Sequence, residues 1–210
     1  MSPTIQTGPG VVLPNGCRIT HGEGATVRTP FSTMALVMHE LHPGHAEPGV
    51  PGFRGQYGVI PFTAEFRLPR HVHLGRAERT ADASLVAERI LVANGAALTE
   101  LSGEIVLVLP GTLVDIPPGV PHTWTACPAG VPLPDGTVSG GSFLMIYDYA
   151  EPTGFYPTDG TATLASASEY RPYAGDLEAI SFPRLTPEQV AGQASYIWNR
   201  ERRCDFRAAG

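Results

Sequence analysis

Short apolar runs alternate with Gly- and Pro-rich breaks along most of this chain, and the rhythm tightens between positions 85 and 150. Leu85 to Val92, Ala96 to Leu101, Glu104 to Leu109, Thr112 to Ile116, His122 to Cys127 and Ser142 to Tyr149 each have the length and residue types of strands. Turn formers separate them: Asn94-Gly95, a hairpin signal, then Ser102-Gly103, Pro110-Gly111 and Pro117-Pro118-Gly119. Upstream, Thr33 to Leu41, Tyr57 to Leu68 and His71 to Leu74 read as extended, with a Pro/Gly loop at Glu47 to Gly52 and a polar, helix-tolerant stretch at Gly75 to Ser84. The first thirty residues read as an arm with one or two short strands.

The tail differs. Thr186-Pro187-Glu188-Gln189 has the form of an N-cap, a proline at the first helical position and a Gln that closes a capping box. The helix it opens is expected to run to about Arg200 and to pack Val190, Ala194 and either Ile197 or Trp198 on the outside of the strands. Strands at this spacing without intervening helices predict an all-β, single-domain closed barrel or double-sheet roll. The expected organisation is an arm with edge strands over 1–54, a barrel core over 55–150 and an extension over 151–210 with a helix at about 187–200.

Composition narrows the function classes. A chain of 210 residues is long enough for one real core, and 42% hydrophobic content separates it from disordered sequences despite Gly 24 and Pro 21. The net charge of -6 argues against nucleic acid as a partner. The arginines gathered at Arg200, Arg202, Arg203 and Arg207 suit a solvated helix face better than a phosphate site. Cys17, Cys127 and Cys204 are odd in number and far apart, so neither a disulfide scaffold nor a thiolate zinc site is expected. No apolar run approaches the ~20 residues of a membrane span, and Met1 to Gly10 lacks the basic start and apolar centre of a signal peptide. A cytoplasmic protein with no membrane partner is the expectation.

The chemistry is carried by His71-Val72-His73 and by His122. Histidines one residue apart on a strand point to the same side, and His122 arrives at the end of another extended run after a Pro-Gly turn. Three converging neutral imidazoles suit a transition metal with open positions. Taken singly, each histidine reads better as an ordinary strand or hydrogen-bonded core residue; taken together, the spacing favours a site.

These residues are similar to the two motifs of the cupin family. Gly111, Pro117, Gly119 and His122 match every element of its second motif, and His71 and His73 match the opening of the first, with Glu88 and Gly95 matching its close. The resemblance covers roughly residues 55 to 150. It implies a small β-barrel (a double-stranded β-helix, or jelly roll), a metal held by three His and usually one Glu, and a homodimer. The spacing departs from the family after His73. Counting onward from His73 gives Glu78 as the carboxylate ligand, whereas counting back from Gly95 gives Glu88. Glu88 shares a strand face with Val86, Ile90 and Val92, where a buried carboxylate needs a partner. Glu78 lies among Arg76, Arg79 and Asp82, as on a solvated hairpin. Glu88 is preferred, Glu78 stays open, and a barrel that works without metal is the remaining reading.

Other residues bear on the site. His39, Glu40, His42 and His45 form a second cluster, but Pro43-Gly44 breaks any helix, so a loop over the barrel mouth is expected there instead of a second metal. Phe143, Met145 and Tyr147 share a strand face that would wall a pocket with one phenol, and Trp124 points inward by the parity of His122. Core packing explains Phe143, Met145 and Trp124 equally well. Glu65 and Arg67 are either a surface pair or a pocket rim.

The resemblance leads to an expected oxidoreductase: a non-haem Fe(II) dioxygenase that binds O2 and a small aromatic or enolisable substrate on a metal held by His71, His73, Glu88 and His122, with Glu88 and Tyr147 as catalytic groups. A Mn, Zn or Ni isomerase or lyase on a small polar substrate is the second reading. A non-enzymatic ligand-binding barrel is the third, since one fold hosts many chemistries.

Overall fold

The structure, a computed structural model, describes residues 10–28, 38–41, 55–75, 83–204 and 206. Its strands are β1 (Val11–Val12), β2 (Arg18–His21), β3 (Thr26–Arg28), β4 (Met38–Glu40), β5 (Tyr57–Thr63), β6 (His71–Gly75), β7 (Glu88–Gly95), β8 (Ala97–Leu101) and β9 (Glu104–Val108). They continue with β10 (Thr112–Ile116), β11 (His122–Ala126), β12 (Ser142–Tyr149), β13 (Thr153–Pro157), β14 (Ser195–Trp198) and β15 (Glu201–Arg203), with the helix α1 (Pro187–Gln193) before β14. Two large sheets face each other, one in the order β1-β2-β10-β7-β12-β5 and the other β13-β6-β11-β8-β9-β14-β15. β3 and β4 form a separate pair. The chain is an all-β, single-domain jelly roll, as the strand rhythm predicts.

Period-two alternation decides what the sandwich encloses. Ile90, Val92, Val114, Ile116, Phe143 and Met145 from the first sheet meet Ala97, Leu101, Val106, Trp124 and Ala126 from the second in one core. Trp124 is therefore a core residue, tilted against Phe143 with ring centroids 6.4 Å apart. A second apolar cluster lies on the outer face of the second sheet, where Leu98 and Leu107 are covered by Phe182, Val190, Ala194 and Tyr196. The C-terminal extension is the cover for that face.

Two expectations change. Asn94-Gly95 does not close a hairpin: β7 pairs with β10 and β12, whereas β8 pairs with β11 and β9, so the turn carries the chain between sheets. Gly95 takes φ +70° there, and a Cβ would lie 2.1 Å from the Ser142 carbonyl oxygen. Ser102-Gly103 is the true hairpin turn, joining β8 to β9 with positive φ at both residues. The helix is shorter than expected. The capping box at Thr186 forms, but Ala194 is already extended and Ser195–Trp198 pairs in parallel with β9. The free edge of β9 offers hydrogen bonds, and Tyr196, Ile197 and Trp198 are better strand than helix formers. The arm and the extension also join the main sheets, through β1 and β2 on one side and β13 to β15 on the other. Among the described residues, no helix is long and apolar enough to cross a membrane.

Gly119, in the turn before β11, takes φ +81°, and a Cβ there would lie 2.2 Å from the Leu164 carbonyl oxygen. Gly119→Ala is expected to lower stability by about 2 kcal/mol or more in denaturant unfolding, because strain and overlap act together. Cys17 and Cys127 are buried, and burial pushes their thiols up to about 12 and about 11. Alkylation of the native protein in mildly alkaline buffer should therefore label the exposed Cys204 and spare the other two.

Candidate functional site

Strand register brings the site together. His71 on β6 stands directly opposite His122 on β11, and His73 stands opposite Phe155 on β13. On the facing sheet, Glu88 opens β7 opposite Tyr149, the last residue of β12. The two sheets thus present three imidazoles and one carboxylate to each other across the sandwich. One ring nitrogen from each of His71, His73 and His122 lies within 4.8 Å of the others, and all three residues are buried. Glu88 is 3% exposed, and its Oε2 lies 2.9 Å from His122 Nε2 and 3.3 Å from His73 Nε2. Glu78 lies outside the described residues.

Backbone carbonyls set the protonation of the rings. His71 Nδ1 donates to the Pro69 carbonyl at 2.8 Å, His73 Nδ1 to Gly154 at 2.9 Å and His122 Nδ1 to Val120 at 2.9 Å. A carbonyl only accepts, so each Nδ1 carries the hydrogen and each Nε2 of a neutral ring is left with a lone pair. In neutral rings the His73 and His122 lone pairs would face the carboxylate of Glu88. A positive charge relieves that repulsion: a proton shared with Glu88, or a cation. Burial works against ionisation of Glu88, but the charge of His73 and the hydrogen bonds from His122 and His73 outweigh it and hold the carboxyl below the usual carboxylate range. Burial, and then the charges of His122 and His73, hold His71 well below its ordinary value of 6.5. On the outer face, Arg70 next to His71 grips Glu100 through two parallel hydrogen bonds of 2.8 and 3.0 Å, which fixes the entry to β6.

A cavity of about 300 Å³ opens beside this cluster. Its described lining is Gln56, Ile60, Tyr147, Tyr149, Thr153, Gly154 and Phe155. The Tyr149 ring lies 4.7 Å from that of His73, and the Phe155 ring 4.6 Å from that of His71, so these two aromatics stand between the imidazoles and the cavity. The Tyr149 phenol is hydrogen-bonded to Glu88, and burial together with the Glu88 charge pushes its pKa above the ordinary phenol value. It stays protonated.

The expected residues fall into three groups. His71, His73, His122 and Glu88 come together, and Tyr147 lines the cavity beside them. Phe143, Met145 and Trp124 are core, and Arg67 is tied to Glu178 away from the site. Of the second histidine cluster, His39 and Glu40 fall on the backbone of β4, and His42 and His45 lie outside the described residues. Tyr149 is the cavity residue beside the cluster to which the pattern reading gave no role, although it continues the parity of Phe143, Met145 and Tyr147. Phe155 had no such signal, because β13 was not recognisable as a strand.

No protein-family profile and no curated protein matches this sequence. Solved structures do resemble it. A dTDP sugar isomerase from Desulfovibrio desulfuricans G20 is 16% identical over 78% of this chain and 95% of its own, with a TM-score of 0.41. A 3'-monoepimerase from Streptomyces bikiniensis, in complex with dTDP-quinovose, is 12% identical over 90% of this chain and 92% of its own, with a TM-score of 0.45. A dTDP-4-dehydrorhamnose 3,5-epimerase from Elizabethkingia anophelis is 13% identical over 71% and 74%, with a TM-score of 0.40. At these identities and TM-scores the likeness concerns the fold alone.

The expected Fe(II) dioxygenase is corrected here. The similar structures just described are sugar-nucleotide epimerases and an isomerase, not oxidoreductases. The described cavity lining reaches Tyr147 and Tyr149 but none of the three histidines. The expected divalent transition metal, Fe(II) first and Mn, Zn or Ni after it, falls with that reading. Three imidazole lone pairs and a carboxylate form a donor set that can hold such an ion, and the same donors can instead share a proton.

Glu88→Ala is expected to cost about 3–5 kcal/mol in chemical denaturation, because it leaves buried imidazoles without their partner. Glu88→Gln should cost less than half as much, since an amide N–H can donate to either Nε2. Equal losses in the two variants would contradict the assigned tautomers.

Proposed function

We propose that this protein is an isomerase that moves a proton on a small polar substrate bearing a carbonyl group. The observation that carries the reading is the position of Tyr149, which lines the cavity with its ring and hydrogen-bonds Glu88 behind it. The Tyr149 hydroxyl directs its one hydrogen at Glu88, so its oxygen can take the proton of a substrate C–H while that hydrogen passes to the carboxylate. Glu88 orients that phenol, and its carboxylate, set beside His73 and His122, can hold the proton until it returns through Tyr149 to the product carbon. Tyr147 supplies a second phenol in the same cavity, with its ring 5.3 Å from that of Tyr149, and its hydroxyl can donate to the oxyanion that develops as the C–H proton is lost. Gly58 makes room for it, since a Cβ there would meet the Tyr147 hydroxyl at 2.6 Å.

Exchange of substrate C–H for solvent deuterium, followed by NMR across a panel of small ketones and keto sugars, tests this. Exchange is expected without O2 and in the presence of a chelator. Tyr149→Phe should slow it by about 10²-fold or more, the usual worth of a positioned acid or base, while leaving the fold intact. Exchange that stops on chelation, or that survives Tyr149→Phe unchanged, would overturn the proposal.

A further inference from the structure

A second cleft, of about 150 Å³, opens on the outer face of the second sheet, between β11 and the segment leading into α1. Arg67 forms part of one wall, held on the sheet by its bridge to Thr125, and Arg184 forms part of the other. The Arg67 side chain is 7% exposed. Its Nη1 donates to the Phe182 carbonyl at 2.7 Å, and its Nη2 pairs with Glu178, a carboxylate that is itself 64% exposed. The Nε–H of Arg67 is buried and meets no acceptor. Thr125 has already committed its hydroxyl hydrogen to the Phe66 carbonyl at 2.9 Å. Burial, and then the charge of Arg184, hold Arg67 below the usual guanidinium range, so the two cations feel each other across the cleft. The chain as a whole carries a net charge of -6, which makes this a local reversal of sign.

We propose that this cleft binds a small oxyanion, a phosphate or a carboxylate, between Arg67 and Arg184. The planar guanidinium fork of Arg184 matches the geometry of such groups, and the Nε–H of Arg67 adds one buried donor. The walls supplied by Leu98, Leu185 and Pro128 limit the screening of the charges. An anion there would offset the repulsion between the two arginines, which Glu178 alone does incompletely from its exposed position. The site is separate from the cavity at Tyr149 and does not rest on the isomerase reading.

Isothermal titration of the full chain with inorganic phosphate, and separately with acetate, at low ionic strength tests the proposal. One saturable site is expected, and the tighter of the two anions identifies the source of the oxyanion. Arg184→Ala, a change at an exposed side chain, should weaken binding about tenfold, the worth of one charge-assisted hydrogen bond, and Arg184→Lys should recover part of it. Tyr149→Phe should bind the anion as the native chain does. No saturable binding of either anion would overturn the proposal, and so would binding unchanged in Arg184→Ala, which would mark an adventitious ion only.

Discussion

A carboxylate buried between two imidazoles is the constraint on which this structure turns. Glu88 comes from one sheet and His73 and His122 from the other, so their contact spans the sandwich at a point where the rest of the interface is apolar. The backbone carbonyls of Gly154 and Val120 hold the outer ring nitrogens, and the inner ones are left with no choice but to face Glu88. A buried charge in this position is tolerated only when it is paired. The sheets are therefore held in one register by electrostatics as well as by packing, and a slip of one residue in β6 or β7 would turn the polar groups out of the site.

The same arrangement separates the charge from the substrate. Tyr149 and Phe155 stand between the imidazoles and the cavity, so a molecule in the cavity meets phenols and a phenyl ring before it meets the cluster. This suits proton transfer better than direct ligation. A phenol whose hydrogen is directed at a buried carboxylate can relay a proton between the cavity and that carboxylate. The jelly roll alone would not lead to this reading, because the fold carries many chemistries; the cross-strand pair of Glu88 and Tyr149 does.

The chain outside the six tightly spaced strands completes this frame. β13 lies against β6 and carries Phe155, one wall of the cavity. Gln56, just before β5, exchanges two hydrogen bonds with the backbone of Thr153, which joins the open edges of the two sheets beside the cavity. On the far side, α1 and β14 cover the outer face of the second sheet, where Leu98 and Leu107 would otherwise meet water.

Local sequence was enough to determine the strands of the core, the capping box at Thr186 and the convergence of His71, His73 and His122. Alternation, turn residues and spacing are properties of neighbouring positions, and they survive folding unchanged. It did not determine which turns close hairpins: Asn94-Gly95 crosses between sheets because β7 and β8 find partners far away in the chain. Nor could it end α1 at Gln193, since the competing ladder is the edge of β9, some ninety positions upstream. The cavity, the place of Tyr149 in its wall and the tautomers of the three rings were decided by tertiary structure alone. Each depends on which backbone carbonyl, carboxylate or ring arrives from another strand, and no local pattern carries that information.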